Sequence, residues 1–370
     1  LTPSHIIPLA APGMITKGLK WMWNSSSPFY LKPRLDPAFI QWAWYFRKSS
    51  TPSKVARAIP VIAEFNLLSK RLYEDLRSSG DIGAFQLEKE GLLMLCKSET
   101  ALKAERAVMQ KATDLGLEAR EVTDRELREM QPGLRPDIGG AIHYRCDAHT
   151  TPTEIMPLLK AWMPKNGVSL HPRTRVTGFK TTGDMIRKVL TEADSFDADE
   201  VVLATGAWSP GLSRELGLRL PLQAGKGYRI DLPGPTHVRL PAVLMESKVA
   251  VTPMNGFTRL AGTMEFSGIN HKIRMNRVRA IAAAAGEYYE DLEVQESAIA
   301  SAACGLRPVT PDGLPYIGRT EAWKNLSLAT GHAMMGWSLG PATGKLISEI
   351  ITGEKPSMSL DALRPGRRFG

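Results

Sequence analysis

The sequence predicts an α/β protein in which an antiparallel sheet interrupts a domain of parallel strands and helices. The run 201–204 is wholly apolar and ends in Thr205-Gly206, as expected of a buried parallel strand leading into a ligand-binding turn. A second strand, at 326–329, precedes a glycine-spaced loop and an apolar helix that stops at Gly353. Between them, residues 220–310 alternate short apolar runs with Gly and Pro turns, which is typical of antiparallel strands.

The other elements follow from periodicity and capping signals. We expect helices over 61–76 with Gly80 as the stop, from Ser98, from Thr123 with Glu126 completing a capping box, from Thr151 with Glu154 as a second capping box, and near 276–289. Strands are expected at 92–95, 168–170, 175–179 and 186–190.

Composition limits the class of protein. The 370 residues are 43% hydrophobic and 23% charged, which fits a globular protein of two domains, and no apolar run is long enough to span a membrane. Three cysteines without a CxxC pair favour a reducing compartment, and we expect a cytoplasmic protein. The net charge of +9 suits a carboxylate substrate, a phosphate-bearing cofactor or an anionic membrane.

The charge pattern bears on two further partners, nucleic acid and a membrane surface. The dense basic stretch 271–279 has no interleaved aromatic residues, so we expect no nucleic-acid binding. Residues 1–50 place Trp21, Trp23, Trp42 and Trp44 among cations, a pattern that also occurs at membrane interfaces. We favour a helical flap packed on the core, and keep peripheral contact with the inner face of the cell membrane as the alternative.

Three motifs carry the chemistry. The first is the strand and turn 201–209, where Ala and Gly allow a backbone to pass close to a flat or phosphorylated ligand. The second is 305–318, which holds Arg307 among Pro and Gly turns, where its guanidinium can bind a carboxylate with two hydrogen bonds. The third is 331–341, a glycine-spaced loop that opens a helix and suits an anion or a polarised carbonyl.

Two rival sites are weaker. The segment 336–340 matches GxSxG, but no histidine follows Ser338, which argues against a hydrolase. His143, Cys146, Asp147 and His149 lie close together without a second cluster to close a tetrahedron, so no metal site is expected.

Taken together, the strings VVLATG, GLRPVTPDGLPYIG and GHAMMGW, in this order, resemble the D-amino-acid oxidase superfamily of FAD enzymes. The closest branch is similar to the bacterial D-amino-acid dehydrogenases of the small-subunit type. The Lys226-Gly227-Tyr228 strand and the acidic helix 123–132 match that branch as well. The resemblance implies an incomplete Rossmann-like FAD-binding domain interleaved with an α+β substrate domain.

The resemblance also implies site residues. Val176 would place its backbone near the adenine, Ala204, Thr205 and Gly206 would line the dinucleotide, and the loop with Gly331, His332, Met335, Gly336, Trp337 and Ser338 would lie against the isoalloxazine ring. Arg307 would hold the substrate carboxylate, with Tyr228 a second candidate beside it. His332 is interpreted as a hydrogen-bonding loop residue.

One departure concerns how the cofactor is held. No strand–GxGxxG–helix unit occurs and the chain opens without Met, so we expect a piece of a longer protein that binds FAD weakly or not at all by itself. A bound-flavin absorption spectrum would refute this. Gly305 stands where relatives carry a flavin-linking Cys, and Cys304 is one residue off, which predicts non-covalent FAD.

The implied reaction is FAD-dependent oxidative deamination of D-amino acids, with a quinone as the electron acceptor. Two alternatives stay open: oxidation of a cyclic secondary amine such as hydroxy-D-proline, and a truncated, non-enzymatic family member. The predicted segments are 1–145 (flap and part of the substrate domain), 146–215 (FAD-binding), 216–318 (antiparallel substrate domain) and 319–370 (FAD-binding).

Overall fold

The computed structural model describes residues 1–13, 27–32 and 34–369. Its helices are α1 (Pro37–Ser49), α2 (Pro52–Ser79), α3 (Glu99–Asp114), α4 (Asp124–Met130), α5 (Pro152–Lys165), α6 (Ser209–Glu215), α7 (Met275–Tyr288), α8 (Glu296–Ala300) and α9 (Gly336–Thr352). Its strands are β1 (Phe29–Leu31), β2 (Leu87–Glu88), β3 (Leu92–Cys96), β4 (Ala119–Val122), β5 (Gly140–Tyr144), β6 (His149–Thr150), β7 (Val176–Thr182), β8 (Met185–Thr191), β9 (Ser195–Asp197), β10 (Val201–Leu203), β11 (Gln223–Pro233), β12 (Ala242–Leu244), β13 (Val249–Met254), β14 (Phe257–Phe266), β15 (Ala303–Val309), β16 (Tyr316–Arg319) and β17 (Leu326–Thr330).

A nine-stranded sheet is the largest sheet in the described part of the chain. Its order is β15-β11-β14-β13-β12-β3-β5-β4, with β1 alongside β14. Most neighbours are antiparallel, as predicted for 220–310, but β1–β14 and β12–β3 are parallel. Helix α7 covers one face, where Tyr228 and Ile230 pack against Val278 and Ile281. Strands β3, β4 and β5 join part of the chain before residue 145 to this sheet.

A small sheet of three strands contains both motif strands predicted to be parallel, β10 and β17. Strand β10 pairs in parallel with β17, which pairs antiparallel with β16. Helix α9 packs against α2 through buried residues that include Phe65 and Leu339. These two sheets confirm the predicted α/β class. The four segment boundaries stay a prediction, although the 318/319 boundary falls inside β16.

Local signals were mostly, but not always, reliable. The Thr123–Glu126 capping box is present, and Gly80 ends α2 in a left-handed conformation with φ 72°. The second capping box was wrong, because the Thr151 hydroxyl bonds Gln86 instead of the helix backbone. The strand expected at 168–170 was also wrong, since these residues form no strand.

The N-terminal flap is described in part. Trp42 is buried and its indole N–H donates to the carbonyl of Val309 at 2.9 Å, so α1 packs on the core as favoured above. Trp44 is exposed, whereas Trp21 and Trp23 lie outside the described residues. Among the described helices, none combines the length and apolarity needed to cross a bilayer.

The pairing of β10 with β17 should depend on buried leucines. Leu328 is 0% exposed and lies opposite Leu203. We expect Leu328→Ala to lower the free energy of unfolding by about 2–5 kcal/mol in urea titrations, because a cavity is left in the core. Val168→Ala, at a residue 42% exposed, serves as the control and should change it by less than about 0.5 kcal/mol. Equal effects of the two substitutions would contradict the assignment of Leu328 to the core.

Candidate functional site

Parallel pairing brings the first and third motifs together. Val201 lies opposite Leu326 and Leu203 opposite Leu328, so both strands end at the same edge of the small sheet. Each strand then runs into a short 3-10 turn, Gly206–Trp208 after β10 and Ala333–Met335 after β17. The edge at which parallel strands end is where α/β sheets bind their ligands.

A chain of hydroxyl groups links these two turns. The Thr330 hydroxyl donates to the carbonyl of Gly206 at 3.2 Å, and the Ser209 hydroxyl donates to Thr330 at 2.9 Å. The proton of Ser209 is thereby used, so the 3.1 Å contact with Thr205 is a bond donated by Thr205. Ser209 and Thr330 are fully buried, and sequence reasoning gave neither a role because nothing in their spacing signals this contact.

Strand β15 forms the third wall of the site. It contacts both 3-10 turns, and Val309 pairs with His332 in an isolated bridge. The three motifs of the sequence therefore meet around one edge, as expected if they bind a single ligand.

Arg307 lies on the face of β15 shared with Gly225 and Gly227. Arg307 pairs with Gly225, and a Cβ added to Gly227 would overlap the guanidinium, so a larger residue there would force the guanidinium to move. One guanidinium nitrogen, Nη1, donates to the carbonyl of Thr263 at 2.6 Å. That carbonyl is free of the sheet ladder because β14 bulges there, and Thr263 adopts φ 69°.

The Arg307 guanidinium has N–H groups that are available to a ligand. Among the described residues, no carboxylate pairs with it, and the bond to Thr263 uses one of its five N–H groups. Burial lowers its pKa to about 10, so it is cationic at neutral pH. A half-buried cation with no carboxylate partner among the described residues fits a carboxylate ligand.

The expectation that Tyr228 lies beside Arg307 is wrong. Tyr228 is one residue from Gly227 in a strand, so its side chain lies on the opposite face of the sheet. There it packs under α7, and its hydroxyl donates to Glu265 at 2.8 Å. The sequence motif placed Tyr228 near the site, but strand alternation turns its side chain away.

The loop between β17 and α9 has the features of an anion-binding helix start. Gly331 has φ 90°, and a Cβ there would lie 2.6 Å from Cγ2 of Thr310. Helix α9 opens at Gly336 with no side-chain cap and no acidic residue in its first turn. Its first backbone N–H groups thus have no side-chain acceptor and suit a negatively polarised oxygen. Trp337 and Ser338 lie in this turn, with Met335 at the N-cap.

His332 is a neutral hydrogen-bond donor. The hydroxyl of Thr343 donates to the carbonyl of Leu339 at 2.7 Å, so its 2.9 Å contact with His332 is donated by Nε2–H of the imidazole. Burial lowers the pKa of His332 to about 4. The imidazole bonds Thr343 rather than Ser338, which is a further argument against a hydrolase.

The residues predicted to bind the dinucleotide lie in two different sheets or next to them. Ala204 is exposed on the same face as Val202, and a Cβ at Gly206 (φ 55°) would meet no atom within 4 Å, so space is open beside this turn. Val176 begins β7 in the separate β7-β8-β9 sheet, which contacts α6 just after the first turn. Open space, an uncapped helix start and a free guanidinium fit a flat, anionic cofactor with a carboxylate substrate.

A cationic groove opens beside the first turn. It has a volume of about 650 Å³, and the described residues that line it include Trp208, three arginines and one acidic residue, Asp36. The arginines are Arg34, Arg214 and Arg219. This excess of positive charge favours the approach of anions to the turn.

The weaker rival, a metal site, finds no geometric support in the described ranges. No group of three His, Cys, Asp or Glu side chains there could hold a metal ion. The Nε2 of His143 contacts the carbonyl of Glu90 at 2.8 Å, and Asp147 accepts bonds from the backbone and hydroxyl of Ser4.

Comparisons with known proteins agree with this geometry. Residues 12–350 match the family described as DAO, FAD dependent oxidoreductase. A D-amino acid dehydrogenase of Granulibacter bethesdensis is 31% identical over 381 residues, covering 100% of this chain and 89% of the relative. One of Cereibacter sphaeroides is 29% identical over 364 residues, covering 97% and 83%.

Solved structures share the fold. Glycine oxidase from Geobacillus kaustophilus superposes with a TM-score of 0.76 at 23% identity, covering 87% of this chain and 85% of that one. L-proline dehydrogenase from P. horikoshii gives 0.73 at 19% identity, covering 82% of each chain.

The lowered pKa of His332 should make the stability of the protein depend on pH in acid. The unfolded chain takes up a proton at His332 near its ordinary pKa of about 6.5, whereas the folded chain does so only near 4. The free energy of unfolding must therefore fall as the pH drops from about 6.5 to 4. In urea titrations, His332→Gln should lose about 1–3 kcal/mol less than the parent over this range. The same pH dependence in both proteins would contradict a neutral His332.

Proposed function

Because the chain belongs to the DAO family of FAD-dependent oxidoreductases, we propose that it oxidises the α-amine of D-amino acids. The amine becomes an imine, which water hydrolyses to a 2-oxo acid and ammonia. Support for D-amino acids comes from the names of the full-length relatives and from the carboxylate-binding chemistry of the site.

The observation that carries this proposal is Arg307, a cation with no carboxylate partner among the described residues, on the strand β15 that contacts both 3-10 turns. Its open N–H groups bind the substrate carboxylate with two hydrogen bonds. Thr263 and Gly227 fix the guanidinium, so little side-chain entropy is lost on binding. Holding the carboxylate fixes the direction of the Cα–H bond, which is the protein's main contribution to the rate.

The residues proposed to hold FAD are Val176, Ala204, Thr205 and Gly206 for the dinucleotide, and Gly331, His332, Met335, Gly336, Trp337 and Ser338 for the ring. FAD, when bound, supplies the two-electron acceptor for the Cα–H bond. The uncapped start of α9 stabilises negative charge on the side of the ring that it faces.

We propose that the FAD is held without a covalent link. Cys304 pairs with Tyr228, so its side chain lies on the face of β15 opposite Arg307. Its Sγ contacts the carbonyl of His271 at 3.6 Å. This supports the expectation, made from the one-residue offset, that the thiol does not reach the ring.

We further propose a quinone as the electron acceptor and peripheral contact with an anionic membrane. The names of the relatives, dehydrogenases rather than oxidases, support the acceptor. The outer face of α1 supports the contact, because Ile40 and Trp44 are 56% and 53% exposed and Leu35 precedes them at 99%. Lys48 lies 5.4 Å from the centroid of the Trp44 ring, beside Arg47.

Turnover by the purified protein at saturating FAD tests the proposed activity. With a soluble quinone analogue as acceptor, D-alanine should yield pyruvate and L-alanine should not. Product formation from cyclic D-proline but not from D-alanine would move the assignment to secondary amines. No turnover of any D-amino acid would contradict the proposal and favour a non-enzymatic family member.

Arg307→Ala should lower kcat/KM by at least about 100-fold, because about 3 kcal/mol of transition-state stabilisation comes from the charged, bidentate contact. Arg307→Lys should recover only part, since an ammonium lacks the planar fork. Arg125→Ala, at a side chain 89% exposed on α4, is the control and should leave kcat/KM unchanged. A fall below about threefold for Arg307→Ala would remove it from the role.

The membrane contact is tested by co-sedimentation with phosphatidylglycerol-rich vesicles. Replacing Ile40 and Trp44 by Ser should reduce the bound fraction at least about threefold, since exposed apolar area is lost. Trp162→Ser, at a residue 36% exposed on α5, is the matched control and should bind like the parent. A parent that does not bind, or a double variant that binds equally well, would contradict the contact.

A further inference from the structure

Helix α9 contains a proline where its first turn needs a donor. In an α-helix, the carbonyl of Trp337 accepts a bond from the N–H of residue 341. Residue 341 is proline, which has no N–H and whose ring crowds the carbonyl four residues before it. The first turn of α9, which carries the loop proposed to face the FAD ring, thus lacks the bond that would fix its direction.

Helix α2 supplies the missing partner. The hydroxyl of Tyr73 donates to the carbonyl of Trp337 at 2.8 Å. One turn earlier on α2, Oγ of Ser69 accepts a bond from the N–H of Ala342 at 3.3 Å. Both side chains are buried, Ser69 at 0% and Tyr73 at 3% exposure, so water does not compete for either bond.

A third contact holds the same turn through the side chain of Trp337. The indole N–H of Trp337 donates to the hydroxyl of Thr150 at 2.8 Å, and its ring lies 6.0 Å from that of Tyr73. Trp337 is therefore fixed through both its backbone and its side chain. Neither contact involves Arg307, which belongs to a different element.

We propose that Tyr73, assisted by Ser69, is a positioning residue that replaces the hydrogen bond lost at Pro341 and so sets the direction of the α9 start against the reacting ring. This inference rests on the proposed function. It separates two tasks: β15 holds the substrate carboxylate, and α2 sets the ring-facing loop. Loosening the loop should therefore slow the chemical step without weakening substrate binding.

The test begins with Tyr73→Phe, which removes only the hydroxyl. We expect kcat to fall about fivefold to tenfold with KM within about twofold, and the absorption maximum of the bound flavin to shift. Amide hydrogen exchange in 336–342 should speed up, a readout that needs no turnover. The matched control is Tyr144→Phe, which removes another buried hydroxyl bond, to Glu105, remote from this loop. It should change neither kcat nor exchange in 336–342.

A double-mutant cycle identifies the cause. Pro341→Ala restores a backbone N–H that can bond the Trp337 carbonyl, so Tyr73→Phe should have at most half its effect in that background. An equal effect in both backgrounds, or exchange in 336–342 no faster than in Tyr144→Phe, would overturn the inference. If D-amino acids are not turned over while exchange follows this pattern, the proposed function fails and the positioning role stands.

Discussion

Parallel pairing of β10 with β17 is the contact on which the candidate site depends. Those strands are separated by more than a hundred residues, and most of the large sheet lies between them in the chain. Their alignment brings the two 3-10 turns that follow them to the same edge of the sheet. The buried chain of hydroxyls from Thr205 through Ser209 and Thr330 to Gly206 then fixes the distance between the turns. In another register the two turns would not meet at the sheet edge that β15, the strand of Arg307, contacts.

Two different elements hold the two parts of the candidate site. Arg307 stands on the large sheet, where a bulge at Thr263 and two glycines shape its surroundings. The loop proposed to face the ring leads into α9, whose first turn is held by bonds from α2 and β6 where Pro341 removes one backbone bond. Both arrangements place backbone irregularity beside the chemistry, where it aims groups that a regular strand or helix would direct elsewhere.

Local signals carried much of the prediction of this fold. The Thr123 capping box, Gly80 and Gly353 depend on contacts within a few residues, so the sequence alone reveals them. The site was predictable as three motifs, because each places glycine, proline or arginine where a backbone or a guanidinium must meet a ligand. The family match confirmed the membership that those motifs indicated, while the roles given to their residues stay predictions.

The remainder depends on long-range contacts. Thr151 has the sequence of a cap, but Gln86, far away in the chain, takes its hydroxyl. Tyr228 belongs to the right motif, but alternation in β11 turns it toward α7. The roles of Thr263, Ser209 and Tyr73 arise from a bulge, a strand register and a helix pair, and none leaves a local pattern. These contacts do not test whether the chain alone binds FAD weakly, which stays a prediction.

The central claim is that Arg307 and the two turns enclose one carboxylate beside one flavin. It is tested most directly by titrating the protein, at a saturating FAD concentration, with benzoate, a carboxylate that the site cannot oxidise, and recording the flavin absorption spectrum. The account predicts a saturable change in the spectrum that is lost in Arg307→Ala and kept in Arg125→Ala. A spectrum that benzoate leaves unchanged, or changes equally in Arg307→Ala, would contradict it.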